Sequence, residues 1–253
     1  MHNVKLIVSY DGTDYFGFQA QQSDVPTIAG ELIQSISRLA NHPVEIVCAG
    51  RTDKGVHAEG QVVNFKTSQP NLKEHNWIRA LNSSLPLSIR VTHCEFVSES
   101  FSSRFDAVAR EYWYSIINTR FPDAIQSRFA THIREHLDTD ILNEYCAEFI
   151  GEHDFTAFCS SMDASRVKRR LIYSYKAERH GNLIILKIKG SGFLHNMVRI
   201  LTGTLVGLHK KEAPASVIQE IILSKDRVKA GKTLPPTGLV FKKAYYNTEE
   251  IHY

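Results

Sequence analysis

Residues 44–65 read Val-Glu-Ile-Val-Cys-Ala-Gly-Arg-Thr-Asp-Lys-Gly-Val-His-Ala-Glu-Gly-Gln-Val-Val-Asn-Phe. Two apolar runs, Val44–Cys48 and Gln61–Phe65, flank the polar string Ala49-Gly-Arg-Thr-Asp-Lys-Gly-Val-His-Ala58. Short runs rich in Val, Ile and Phe predict two strands. Glycines at 50, 55 and 60 allow the backbone around the string to take conformations closed to other residues. The string carries one carboxylate, Asp53, among Arg51, Thr52, Lys54 and His57. A reactive group on a loop aimed by rigid strands is a common way to build a site. Turn chemistry is the competing reading, because an Asp side chain often accepts from a backbone N–H two residues on. A turn uses Asp and Gly; it gives no reason for Arg, Thr and His at these offsets.

Outward from this loop the first half reads as an ordered series. Val4–Tyr10 predicts a strand closed by the turn Asp11-Gly12. Thr27–Leu39 sets Ile28, Leu32, Ile33, Ile36 and Leu39 on one helical face. Leu72–Asn82 predicts a second helix, stopped before Pro86, and Ser88–Val97 a further strand. The second half follows a similar order. Glu111–Asn118 reads as a strand and Asp138–Gly151 as a helix, with Asp138 or Asp140 as cap and Gly151 as its stop. Leu171–Arg179 and Leu183–Lys189 predict a hairpin across His180-Gly181-Asn182. Gly192–Leu208 carries a helical apolar stripe, Ala215–Leu223 a further helix, and Gly238–Tyr246 a closing strand. Each half approximates β-α-β-β-α-β. The expected fold class is therefore α+β: two ferredoxin-like domains, residues 1–105 and 106–253, with antiparallel sheets and a site in the cleft between them.

With 253 residues, 43% hydrophobic and 23% charged, a packed globule is expected. No apolar run reaches the length of a membrane span. The start Met1-His2-Asn3-Val4-Lys5 lacks the pattern of a signal peptide, so a cytoplasmic protein is expected. Cys48, Cys94, Cys146 and Cys159 form no Cys-x-x-Cys pair and read as free thiols. The net charge of +3 hides an asymmetry: residues 160–243 hold 17 basic against 5 acidic side chains. Such an excess either neutralises phosphates or forms a solvated basic face. Its densest run is Arg166-Val167-Lys168-Arg169-Arg170.

Other motifs admit two readings each. Tyr112 alternates with Trp113 and Tyr114 as strand formers do, and an aromatic face can also hold an unstacked base. Arg199 interrupts an apolar helical stripe, as a surface side chain or as part of a site. His132-Ile-Arg-Glu-His136 spells one order of zinc-peptidase ligands, which requires a helix to bring both imidazoles to one face. No third ligand is evident, and no metal site is expected.

The string 49–58, followed by Gly60-Gln61-Val62-Val63, resembles the signature of the tRNA pseudouridine synthase A family. Further segments are similar to that family in order: Tyr10-Asp11-Gly12 with Tyr15, Gly17 and Gln19; Phe101–Phe105 and Ala109–Tyr114; Gly151–Phe158; Phe193–Arg199; and Pro236–Leu239. Cys159 and Lys54 depart from some members. The resemblance implies an isomerase that converts uridine to pseudouridine in the tRNA anticodon stem-loop, at positions 38–40. It implies Asp53 as nucleophile or general base, Arg51 and Arg199 as partners that keep it ionised, and Tyr112 as the platform for the target uracil. Arg166, Lys168, Arg169 and Arg170 would contact the RNA, and a homodimer is implied. The reaction involves no redox change or group transfer, so no cofactor is expected. A non-catalytic tRNA-binding chaperone, or a zinc hydrolase on His132 and His136, are the competing functions.

Overall fold

The computed structural model describes residues 1–21, 25–68 and 72–252. It is a mixed α/β structure of two compact units. One comprises Met1–Arg110 with the chain from Val240; the other comprises Glu111–Leu239.

The first unit opens with β1 (His2–Tyr10), whose Val4, Leu6, Val8 and Tyr10 form one buried face, as strand alternation requires. Helix α1 (Ile28–Ala40) starts at Thr27, whose Oγ1 accepts from the Gly30 N–H at 3.2 Å. Its buried stripe is Ile28, Leu32, Ile36 and Ala40. Strands β2 (Ile46–Cys48) and β3 (His57–Thr67) follow, then α2 (Glu74–Ser84) and β4 (Ile89–Val97). Trp77 of α2 is fully buried and meets Phe65 of β3 edge-on at 5.3 Å. β1 lies between β3 and β4, antiparallel to both, and β2 pairs antiparallel with β3.

The second unit holds all but the first two residues of β5 (Ala109–Ile117), then β6 (Thr131–His132), α3 (Thr139–Ala147) and β7 (Gly151–Asp154). The hairpin β8 (Arg169–His180) and β9 (Leu183–Gly190) turns at Gly181, whose φ of +60° suits glycine. Helices α4 (Met197–Lys210) and α5 (Val217–Ser224) complete it. The strand order is β5-β9-β8-β7, with β6 parallel to β5. Phe149, Phe155, Phe158 and Tyr175 form an aromatic cluster between α3 and β8. The last strand, β10 (Leu239–Tyr245), runs parallel to β3 through Val240–His57 and Phe241–Ala58. The edge of β3 is thus shared: β2 takes Val63–Phe65 and β10 takes its first two residues.

Several expected boundaries shift. α3 ends at Ala147, and Gly151 opens a strand at φ +106° instead of stopping the helix. α4 begins at Met197, five residues beyond Gly192, because Asn196 takes a left-handed conformation at φ +63°. β3 begins at His57, so the loop of Asp53 is shorter than the motif. All four cysteines are free; burial pushes the Cys48 thiol up to about 11 and the Cys94 thiol up to about 12. Among the described residues, no helix is long and apolar enough to cross a membrane.

Thr27→Ala removes the side-chain cap at the start of α1, and we expect it to cost about 1 kcal/mol. A urea titration reads this as a lower midpoint with unchanged slope.

Candidate active site

The loop from Ala49 to Val56 is tied down at almost every step. The Ala49 N–H donates to the Val62 carbonyl at 2.9 Å. The Gln61 amide donates to the Gly50 carbonyl at 2.7 Å. Thr52 is buried, with its Oγ1 at 2.7 Å from the Tyr10 hydroxyl and its carbonyl accepting from the Phe18 N–H at 3.0 Å. The turn itself is closed by main chain: Val56 N–H donates to the Asp53 carbonyl at 3.1 Å across Gly55 at φ +77°. A glycine at positive φ in the third position is the signature of a type II turn. Asp53 is half-buried and Arg51 exposed. Lys54 lies over the Phe16 ring at 3.7 Å.

A second segment, residues 11–18, is pressed against this turn. A Cβ on Gly12 would stand 2.0 Å from the Val56 carbonyl oxygen, and one on Gly17 3.0 Å from that of Thr52. Gly17 also sits at φ +93°, where a side chain is strained. His57 fastens the same segment, with Nδ1 at 3.1 Å from both the Gly12 nitrogen and Asp11 Oδ1. That is a supporting role in the structure of the loop. Arg110 clamps the loop's entrance: Nε donates to the Ala49 carbonyl at 3.1 Å, while its terminal nitrogens reach the Ala107 and Arg104 carbonyls.

In the second unit, Tyr112 is buried and meets Phe193 edge-on at 5.2 Å. Arg199 lies in the first turn of α4 and is half-buried. Its Nε donates to the Leu234 carbonyl and a terminal nitrogen to Asn196 Oδ1, both at 2.7 Å. These contacts fix the guanidinium in place.

The basic run divides by role. Arg166 is exposed. Lys168 pairs with Asp163 at 2.7 Å, and Asp163 also accepts from the His195 N–H at 2.6 Å. Burial pushes Asp163 up, but the Lys168 ammonium and the backbone N–H groups of His195 and Ser165 outweigh it. The carboxyl stays well below its usual range. Arg169 pairs with Glu152 at 3.0 Å on the surface, and Arg170 donates to the carbonyls of Val167 and Arg169. Lys225, outside the run, pairs with Asp154 and helps hold that carboxyl down to about 2.

His132 lies in β6, its Nε2 at 2.8 Å from the Thr119 carbonyl, and α3 begins only at Thr139. The helix that a His132/His136 zinc site requires is therefore not formed. Among the described residues, no cluster of three potential metal ligands occurs.

A family model described as tRNA pseudouridine synthase matches residues 6–106 and 145–247. The chain belongs to this family. A tRNA pseudouridine synthase A of Brachyspira hyodysenteriae is 40% identical over 98% of this chain and 100% of its own length. One from Brevibacillus brevis is 39% identical over 97% and 100%. A tRNA pseudouridine synthase A 2 of Clostridium perfringens is 39% identical over the same shares. Asp53, Arg51, Arg199 and the run 166–170 fall inside the segments matched by the synthase family, and Tyr112 falls between them.

Gly12, Gly17, Gln61 and Arg110 stand in the sequence motifs, but their spacing assigns them no partner. Each acts on a backbone atom far along the chain. We expect Gly12→Ala to destabilise the fold by about 1–3 kcal/mol, because its methyl group meets backbone that must move. Thermal unfolding monitored by circular dichroism checks this.

Proposed function

We propose that this chain isomerises uridine to pseudouridine in the anticodon stem-loop of tRNA, at positions 38–40. The family match over nearly the whole chain, with the Asp53 string intact inside it, is the observation that carries the reading. In the reaction the bond from ribose C1′ to uracil N1 breaks, the base turns, and C1′ is joined to C5, which then loses its proton while N1 gains one. The Asp53 carboxylate acts on the sugar or takes a proton, and either role requires its ionised form. Arg51 and Arg199 are the proposed partners of that carboxylate in the reaction. The target base must leave its stack, at about a few kcal/mol, and Tyr112 offers an aromatic face for it once the ring is uncovered.

Arg166, Lys168, Arg169 and Arg170 belong to the RNA-contacting surface in this proposal. Exposed Arg166 is the strongest candidate for direct phosphate contact, because Lys168 and Arg169 already face carboxylates. The proposal includes two ferredoxin-like domains divided near residue 105, a homodimer, and a cytoplasmic setting. No cofactor is called for, because the isomerisation changes neither oxidation state nor atom count.

Carbodiimide treatment followed by primer extension maps pseudouridine in a transcribed tRNA. We expect new stops at positions 38–40 after incubation with the protein. Binding of the transcript without any new stop would instead support a non-catalytic tRNA-binding protein.

A further inference from the structure

Three side chains beneath the Asp53 loop are buried and polar: Gln61 at 0% exposure, Tyr10 at 4% and Thr52 at 6%. The two bonds made by Gln61 have a fixed direction. The Gly50 carbonyl can only accept, so the Gln61 atom 2.7 Å from it is the amide nitrogen. The second N–H of that amide is directed at the Tyr10 hydroxyl oxygen, 3.4 Å away. The Tyr10 hydroxyl in turn lies 2.7 Å from Thr52 Oγ1, a bond in which either oxygen can donate. Burial pushes the Tyr10 phenol far above its usual pKa, so the group keeps its proton throughout the neutral range.

This chain of bonds grips the loop on both sides of Arg51, at the Gly50 carbonyl and the Thr52 side chain, and Asp53 is the next residue. The grip comes from two strands of the sheet, Tyr10 ending β1 and Gln61 in β3. The turn beyond is closed by its own main chain, and Gly17 leaves the Thr52 carbonyl approachable by the Phe18 N–H. The angle at which Asp53 leaves the sheet therefore depends on where Thr52 is held.

We propose that Tyr10 is a positioning residue for the reaction at Asp53, acting through Thr52 and oriented by Gln61. The inference rests on the reading of Asp53 as the reacting carboxylate. Tyr10 touches no substrate in this account. It sets the loop geometry, and a misplacement of about 1 Å can lower a rate by about a hundredfold.

The test is single-turnover release of tritium from tRNA labelled at uracil C5, together with tRNA affinity and melting temperature for each variant. Tyr10→Phe keeps the ring and removes one hydroxyl. We expect its rate to fall by about ten- to hundredfold while tRNA affinity stays within about twofold of wild type. Thr52→Val should match that loss, and Thr52→Ser should restore most of the rate. The double variant Tyr10→Phe/Thr52→Val should be no slower than either single one, because both break the same bond. A wild-type rate for Tyr10→Phe would overturn the proposal. So would a rate loss that merely tracks the fraction unfolded or the loss of tRNA affinity. If Tyr10→Phe does not fold, the contrast of Thr52→Ser with Thr52→Val decides alone, and equal rates for those two overturn it. Asp53→Asn measured alongside separates the two levels. Normal turnover by that variant refutes Asp53 as the reacting group, whereas an inactive Asp53→Asn with a fully active Tyr10→Phe refutes only the positioning role.

Discussion

The candidate site depends on one backbone-to-backbone approach. Residues 12–17 lie so close to residues 52–56 that a single methyl group on Gly12 would fall 2.0 Å from a carbonyl oxygen. Only glycine permits that contact, and the contact fixes the turn on which Asp53 stands. Around it, polar anchors act at three positions: Arg110 on Ala49, Gln61 on Gly50, Tyr10 on Thr52. β3 is the common base, since it continues directly from the loop and pairs with β1, β2 and β10. A loop built this way spends little freedom on substrate binding. That suits the proposed reaction, in which one carboxylate must be held in one geometry against its substrate.

The charge distribution gains a sharper meaning from the structure. The excess of 17 basic over 5 acidic residues in 160–243 suggests a broad phosphate-binding surface. Part of it is committed internally. Lys168 holds Asp163, which in turn holds the backbone of His195 just ahead of α4. Lys225 holds Asp154. These pairs shape the second unit; side chains such as Arg166 face solvent, and in the proposed function they carry the charge left for nucleic acid. Counting charges along a sequence cannot separate the two groups, because the partners lie in other elements.

Much of the architecture was legible in the residues. The strand over Val4–Tyr10, the helical stripe of Ile28, Leu32 and Ile36, and a cap at Asp138, one of the two candidates, appear as read. These are local signals, and local physics fixes them. The misreadings have physical causes too. Phe193 and Leu194 continue the apolar stripe of α4, so periodicity places the helix start too early; Asn196 breaks it with a left-handed backbone. Gly151 follows a helical pattern and reads as its stop, while Gly-Glu-His-Asp lacks the apolar alternation that marks a strand. The His132–His136 spacing fits a zinc motif only on a helix, and pairing with β5 draws Thr131–His132 into a strand. At the site, the Asp53 string was legible as a motif. The partnership of Tyr10 with Thr52 was not, because it joins residues 42 positions apart.

The central claim is that the half-buried carboxylate of Asp53 does the chemistry. The most direct measurement is tritium release from tRNA labelled at uracil C5, with wild type and Asp53→Asn compared at equal tRNA occupancy. The account predicts release by wild type and none by the variant, although both bind the tRNA equally. Release by Asp53→Asn at a rate near wild type would contradict it.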